Sequence, residues 1–204
     1  MDSIRRVRTQ RGFTLMELMI SVGIIGVMAT IAVPNFLSYQ ARSRRSEAYT
    51  NLASLARAQK SYQAENDAFV DTFEITGEFA VPWLGNYPAE FGTGKMPWDA
   101  DATTMSDQLG WKPEGRVFYS YDVKTGQGPG GCPCDLCFTA TAHGDVDGDG
   151  VVGAVMYVHP QLDAGGNQVA CDSYLGGYGA PTRPENGAPV YDEVAVYRGA
   201  VDDY

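Results

Sequence analysis

Residues 11–37, RGFTLMELMISVGIIGVMATIAVPNFL, contain one charge after the basic Arg11-Gly12 junction, and that charge is Glu17. A carboxylate at membrane depth costs about 2.5–3.5 kcal/mol on insertion scales, so one kept there has a cationic partner or a task. A cut between Gly12 and Phe13 would supply the partner, because the new α-amino group would sit one helical turn from Glu17 on the same helix face. From Phe13 to Leu37 the run has 25 residues, which at about 1.5 Å each reach roughly 37 Å, enough to span a bilayer core.

The flanks fit a retained span rather than a discarded one. Residues 1–12 carry four arginines against Asp2, a net charge of +3, and positive residues stay cytoplasmic. An ordinary secretory signal places its cleavage site after the apolar region, and no convincing small-residue site follows Leu37. Arg42, Arg44 and Arg45 flank the far end. They weaken an orientation argued from charge alone, and either mark the membrane boundary or meet acidic groups of neighbouring subunits.

Gly12, Phe13, Thr14, Leu15 and Glu17 stand as they do in the class III signal of type IV pilins and type II secretion pseudopilins, and to about residue 69 the chain resembles that family. The resemblance implies a leader over 1–12, cleavage after Gly12 and methylation of Phe13 by a prepilin peptidase, and a docking role for Glu17 in a growing filament. It implies identical or homologous subunits and an inner-membrane assembly platform as partners. It also implies a chain that starts in the bacterial inner membrane, amino terminus cytoplasmic and head periplasmic, and ends in an extracellular filament. The fold it implies is α+β, a long N-terminal helix on an antiparallel sheet.

Within the apolar run, Pro34 removes the amide that would bond the Thr30 carbonyl, so a kink is expected there. Gly23 and Gly26 lower helix propensity by about 1 kcal/mol each relative to alanine while permitting close helix contact. Related filaments unwind between a glycine and a proline placed like Gly26 and Pro34, a property that comes with the resemblance.

Past residue 40 the pattern becomes that of a half-exposed helix, with Ala48, Leu52, Leu55, Gln59 and Tyr62 spaced by four and three. Residues 13–40 are thus read as the membrane and filament-core helix, 41–66 as its amphipathic continuation, and 67–204 as the head. Asn66 is the expected stop because asparagine tolerates the left-handed conformation that ends helices; Asp67 stands where the family usually has glycine.

Residues 70–116 show no sustained period and read as an extended connection with one short helix, and Trp83, Trp98 and Trp111 are read as covering sheet or helix rather than binding sugar. Alternation at 117–123, 136–142, 151–158 and 189–197 predicts a four-stranded antiparallel sheet, the middle pair close enough to form a hairpin. Residues 66–204 carry 21 acidic and 6 basic side chains, a net −15, against +2 for residues 13–65. A head that acidic is a poor nucleic-acid surface, since phosphate binding relies on clustered Lys and Arg.

Asp145, Asp147, Asp149 and Gly150 spell D-x-D-x-D-G, the opening of a calcium loop. The twelfth position is Met156, so the closing acid of an EF-hand is absent. Calcium completed by Asp135, Asp163 or Asp172 and a metal-free turn both stand open; no other cofactor is required. Cys132, Cys134, Cys137 and Cys171 fall in the exported part, where thiols pair. Two disulfides are expected, with Cys132–Cys134 disfavoured by short separation and Pro133. The rivals are a four-thiolate zinc site lacking its second CxxC and a dithiol redox site at Cys134–Cys137. The only histidines, His143 and His159, are read as surface or loop residues, and no H-E-x-x-H, G-x-S-x-G or phosphate-cradling glycine loop occurs. The chain reads as a structural subunit rather than an enzyme: a type IV pilin, with a type II secretion pseudopilin or a minor pilin as the alternative. A membrane-anchored calcium-binding or thiol-active protein is the alternative from another class.

Overall fold

The computed structural model describes residues 12–72, 92–98, 108–128, 131–174 and 177–197. The leader through Arg11, Trp83 and most of the 70–116 connection lie outside the described residues. The chain divides into two units, Met1–Gln40 and Ala41–Tyr204.

Helix α1 runs over Leu15–Asn66. It begins two residues later than Phe13, because Thr14 serves as its cap. Within the first unit the side chains of residues 12–37 are all exposed. The hydroxyls there turn back onto their own helix: Ser21 donates to the Glu17 carbonyl (2.7 Å), Thr30 to Gly26 (2.9 Å) and Ser38 to Pro34 (3.1 Å). The outer surface is left apolar, as a lipid or protein-core environment requires. α1 remains helical through Pro34.

In the second unit the strands are β1 (Met96–Pro97), β2 (Arg116–Val117), β3 (Ser120–Thr125), β4 (Phe138–Gly144), β5 (Gly153–His159), β6 (Gln161–Leu162), β7 (Gln168–Val169) and β8 (Val194–Val196). The main sheet has the order β3-β4-β5-β8 with every neighbouring pair antiparallel. Two short ribbons, β1-β2 and β6-β7, were not anticipated from the sequence. The stretch expected as one strand over 117–123 breaks at Phe118-Tyr119 into β2 and β3. The stretch over 189–197 yields only β8, because Asp192 sits at φ 56° and interrupts extension after Pro189.

The register sorts the side chains. Tyr121, Ala142 and Val155 form one row, and Val123, Ala140 and Tyr157 the next. This face packs against Ala48, Leu52 and Leu55 of the expected stripe of α1, with Ala56 beside them and Tyr62 partly buried, to make the core. Gln59 is fully buried in that stripe, and its side-chain amide replaces a strand partner: it donates to the Val70 carbonyl (2.7 Å) and accepts from the Val70 amide (3.0 Å). Trp111 covers the helix as expected, donating to Ser54 Oγ at 2.7 Å and meeting Trp98 and Tyr121 edge-on. Glu47 accepts from the Phe118 amide and pairs with Lys95, both at 2.8 Å or less.

The opposite face carries Ser120, Asp122, Lys124, Thr139, Thr141 and His143, and these are buried too. Part of it is crossed by residues 171–174: Thr139 donates to the Cys171 carbonyl and Lys124 pairs with Asp172. His143 is therefore not the surface residue the sequence suggested. It is fully buried, its Nε2 3.1 Å from Asp122 Oδ2, and burial pushes the Asp122 carboxyl above its ordinary range while His143 pulls it back. The free edge of β3 is closed by side chains. The Thr72 hydroxyl bonds both the amide and the carbonyl of Val123, and Asp71 accepts from the Thr125 amide.

Candidate functional site

The site begins where the chain enters α1. Thr14 and Glu17 form a reciprocal cap: the Glu17 amide donates to Thr14 Oγ1 (3.2 Å), and one Glu17 oxygen accepts the Thr14 amide (3.0 Å) and hydroxyl (2.7 Å). This is a capping box, T-x-x-E, whose signal stands in the sequence at Thr14 and Glu17 yet is masked there by the stronger question of a charge in an apolar run. In the uncut chain, then, Glu17 is held by Thr14 rather than by an ammonium. Phe13 is 71% exposed beside it, so a cut at Gly12 would bring its amine within one turn of a carboxylate already fixed in place. Glu17 also lies in the first helical turn, where a negative charge complements the macrodipole.

Further along the same helix, a Cβ built on Gly23 or Gly26 meets nothing within 4 Å. Among the described residues no contact calls for glycine at either position. Their small size is available to another helix.

In the head, the D-x-D-x-D-G segment joins β4 to β5. Asp145 is buried and accepts the amides of Gly148 (2.8 Å) and Gly150 (3.0 Å), while Asp149 accepts that of Val151 (2.7 Å). Both glycines sit at φ 84°, which L side chains rarely adopt. One oxygen each from Asp145, Asp147 and Asp149 fall within 4.8 Å of one another. Of the three acids expected to complete a shell, Asp172 pairs with Lys124, Asp163 closes its own turn with Gly165 and Asn167, and the amide of Asp135 is tied to Gln161. Arg44, expected to flank the membrane or meet a neighbour, instead donates to the Val146 carbonyl of this loop and lies over the Phe118 ring.

Cys132 bonds Cys171 and Cys134 bonds Cys137. This pairing uses all four cysteines and avoids Cys132–Cys134, as expected. A carboxylate hub missed in the sequence holds the start of the last strand: Asp192 accepts from Lys60 (2.8 Å), Tyr157 (2.9 Å) and the His159 ring (2.6 Å). Burial works to raise the Asp192 carboxyl, but these donors together hold it below its usual value. No sequence spacing links positions 60, 157, 159 and 192; only the fold does.

Residues 7–33 match the prokaryotic N-terminal methylation motif. The chain is 61% identical over 61 residues to the type IV major pilin protein PilA of Myxococcus xanthus, a match covering 30% of this chain and 28% of that protein. It is 33% identical over 95 residues to the type II secretion system core protein G of Pectobacterium carotovorum, 44% of this chain and 61% of the relative. With the core protein G of Vibrio cholerae it shares 33% identity over 110 residues, covering 50% of this chain and 75% of that relative. The chain thus spans less than two thirds of the first two relatives and three quarters of the third. With the capped apolar helix, the antiparallel sheet packed on the helix's later half and these matches in hand, the chain belongs to the family of type IV pilins and type II secretion pseudopilins.

Proposed function

We propose that this chain is a structural subunit of a type IV pilus. It starts in the bacterial inner membrane with its amino terminus cytoplasmic and its head periplasmic. A prepilin peptidase cuts it between Gly12 and Phe13 and methylates Phe13. It is then polymerised with identical or homologous subunits on an inner-membrane assembly platform into an extracellular filament. Assembly is its activity.

The observation that carries this is Glu17, fixed by Thr14 at the head of an apolar helix whose side chains from 12 to 37 are all exposed. Moving such a helix from lipid into a protein core gains little hydrophobic energy, so close packing at Gly23 and Gly26 and the ion pair at Glu17 must select the docked geometry. A charge-assisted hydrogen bond contributes about 1.5–3 kcal/mol, so Glu17→Ala should lower subunit docking roughly 10- to 100-fold. Mass spectrometry of the mature amino terminus should find methylated Phe13, and imaging should find filaments that vanish in Glu17→Ala cells. An uncut chain, or an alanine variant that polymerises like wild type, would sink the proposal.

A pseudopilin is favoured by one specific observation, the 75% of the Vibrio core protein G that the match covers. Surface fibres lost on deletion of this chain separate a pilin from a secretion subunit confined beneath the surface. For the Asp145–Asp149 loop, calcium is the cation its oxygen set would take. A calcium-dependent rise in Tm of the intact protein, abolished in Asp149→Ala, supports a metal role; an unchanged Tm makes the loop a turn closed by its own amides.

A further inference from the structure

The two disulfides are in contact with each other. Sγ of Cys137 lies 3.4 Å from Sγ of Cys171, although neither is the other's partner. Cys137, Cys171 and Cys134 are 0, 1 and 7% exposed, while Cys132 is half-buried, the most accessible of the four residues. We propose that the four cysteines form one thiol-exchange site, entered at Cys132 by an external thiolate and ending with the long clasp moved from Cys132–Cys171 to Cys137–Cys171.

The external thiolate attacks Sγ of Cys132; the bond to Cys171 breaks and its electron pair leaves on Cys171. That thiolate faces Cys137 at 3.4 Å and attacks it, forming Cys137–Cys171 and expelling Cys134 as a thiolate that takes a proton from water. A second external thiol removes the first from Cys132, so the two electrons come from two external thiols that leave as a disulfide. Cys132 and Cys134 remain as thiols.

Three features stop the exchange there. The clasp closes a separation of 34 residues after the move against 39 before it, so its loop-closure entropy barely changes. Its two sulfurs are buried, and exchange requires access. Cys132 and Cys134 cannot readily close on each other across Pro133. The head would thus keep its covalent link between the start of β4 and the 171–174 crossing after losing one disulfide, and would hold one half-buried thiol at Cys132 and one buried thiol at Cys134.

Full-length protein is treated with one equivalent of dithiothreitol, quenched with iodoacetamide, and digested with a protease that cuts before aspartate. The sequence separates the cysteines into fragments 122–134, 135–144 and 163–171. Exchange predicts 135–144 joined to 163–171, with 122–134 free and alkylated twice, in most singly reduced chains. Fragment 122–134 joined to 163–171 with 135–144 free would show simple reduction of the short bridge and overturn the proposal. A mixture of only fully oxidised and fully reduced chains would overturn it as well.

Discussion

Asp122 and His143 place two titratable groups where neither meets water. Burial raises the Asp122 carboxyl above its unfolded value, so the protonated form is the one the fold favours. Such a group contributes stability that is complete below the unfolded carboxylate pKa, about 4, and is lost as pH climbs through the raised folded value. Asn keeps the shape and accepts from the imidazole without ionising. Asp122→Asn should therefore gain on wild type as pH rises above about 4, by a few degrees in Tm near neutrality, read by thermal unfolding across pH. A gain that grows on acidification instead would mean the buried pair is a zwitterion whose carboxylate the fold needs. His143 was hidden from sequence reasoning because alternation shows which residues share a face but not whether the second face is covered, and here both are. Glu17 stood out for the opposite reason, since a lone carboxylate among some twenty uncharged residues is improbable without a task, whereas its bonds to Thr14 were not anticipated.

At the level of elements, β4 and β5 were visible as apolar alternation around an Asp-Gly turn, and the stripe of α1 as a spacing of three and four. The edges were not, because they depend on single backbone angles and distant side chains: Asp192 truncates the last strand, and Asp71 and Thr72 seal β3 from about fifty residues away. The end of α1 was found to within one residue, with the left-handed position at Asp67 (φ 53°) rather than Asn66. The Asp67 amide donates to the Gln63 carbonyl at 2.9 Å, the single bond of an αL cap. Asp67 occupies a conformation that costs an L residue about 1–2 kcal/mol and glycine almost nothing. Asp67→Gly should accordingly stabilise the protein by about 0.5–1 kcal/mol in chemical denaturation, the remainder being returned as entropy of the more flexible unfolded chain. A loss of stability would show that the aspartate side chain itself holds the cap.

For the molecule as a whole, charge and hydropathy are segregated along the chain, with an apolar exposed helix at one end and a head of net −15 at the other. In a filament of such subunits the two parts act in opposite senses. On the proposed function, packing at Gly23 and Gly26 and a Phe13–Glu17 pair would draw helices together at short range, in a medium that salt does not enter. The heads repel one another through water, over a Debye length of about 30 Å at 0.01 M ionic strength and about 8 Å at 0.15 M. Raising NaCl from about 10 to 500 mM should then increase the fraction of subunit recovered as sedimentable filament, since the repulsion is screened and the buried pair is not. A quadruple variant neutral at the exposed positions Asp149, Asp163, Glu185 and Glu193 should assemble better than wild type at low salt and show a smaller gain on raising NaCl. If instead wild-type assembly falls with salt, attraction between heads, not repulsion, sets the energetics, and the acidic surface would be an adhesive that recognises cationic partners.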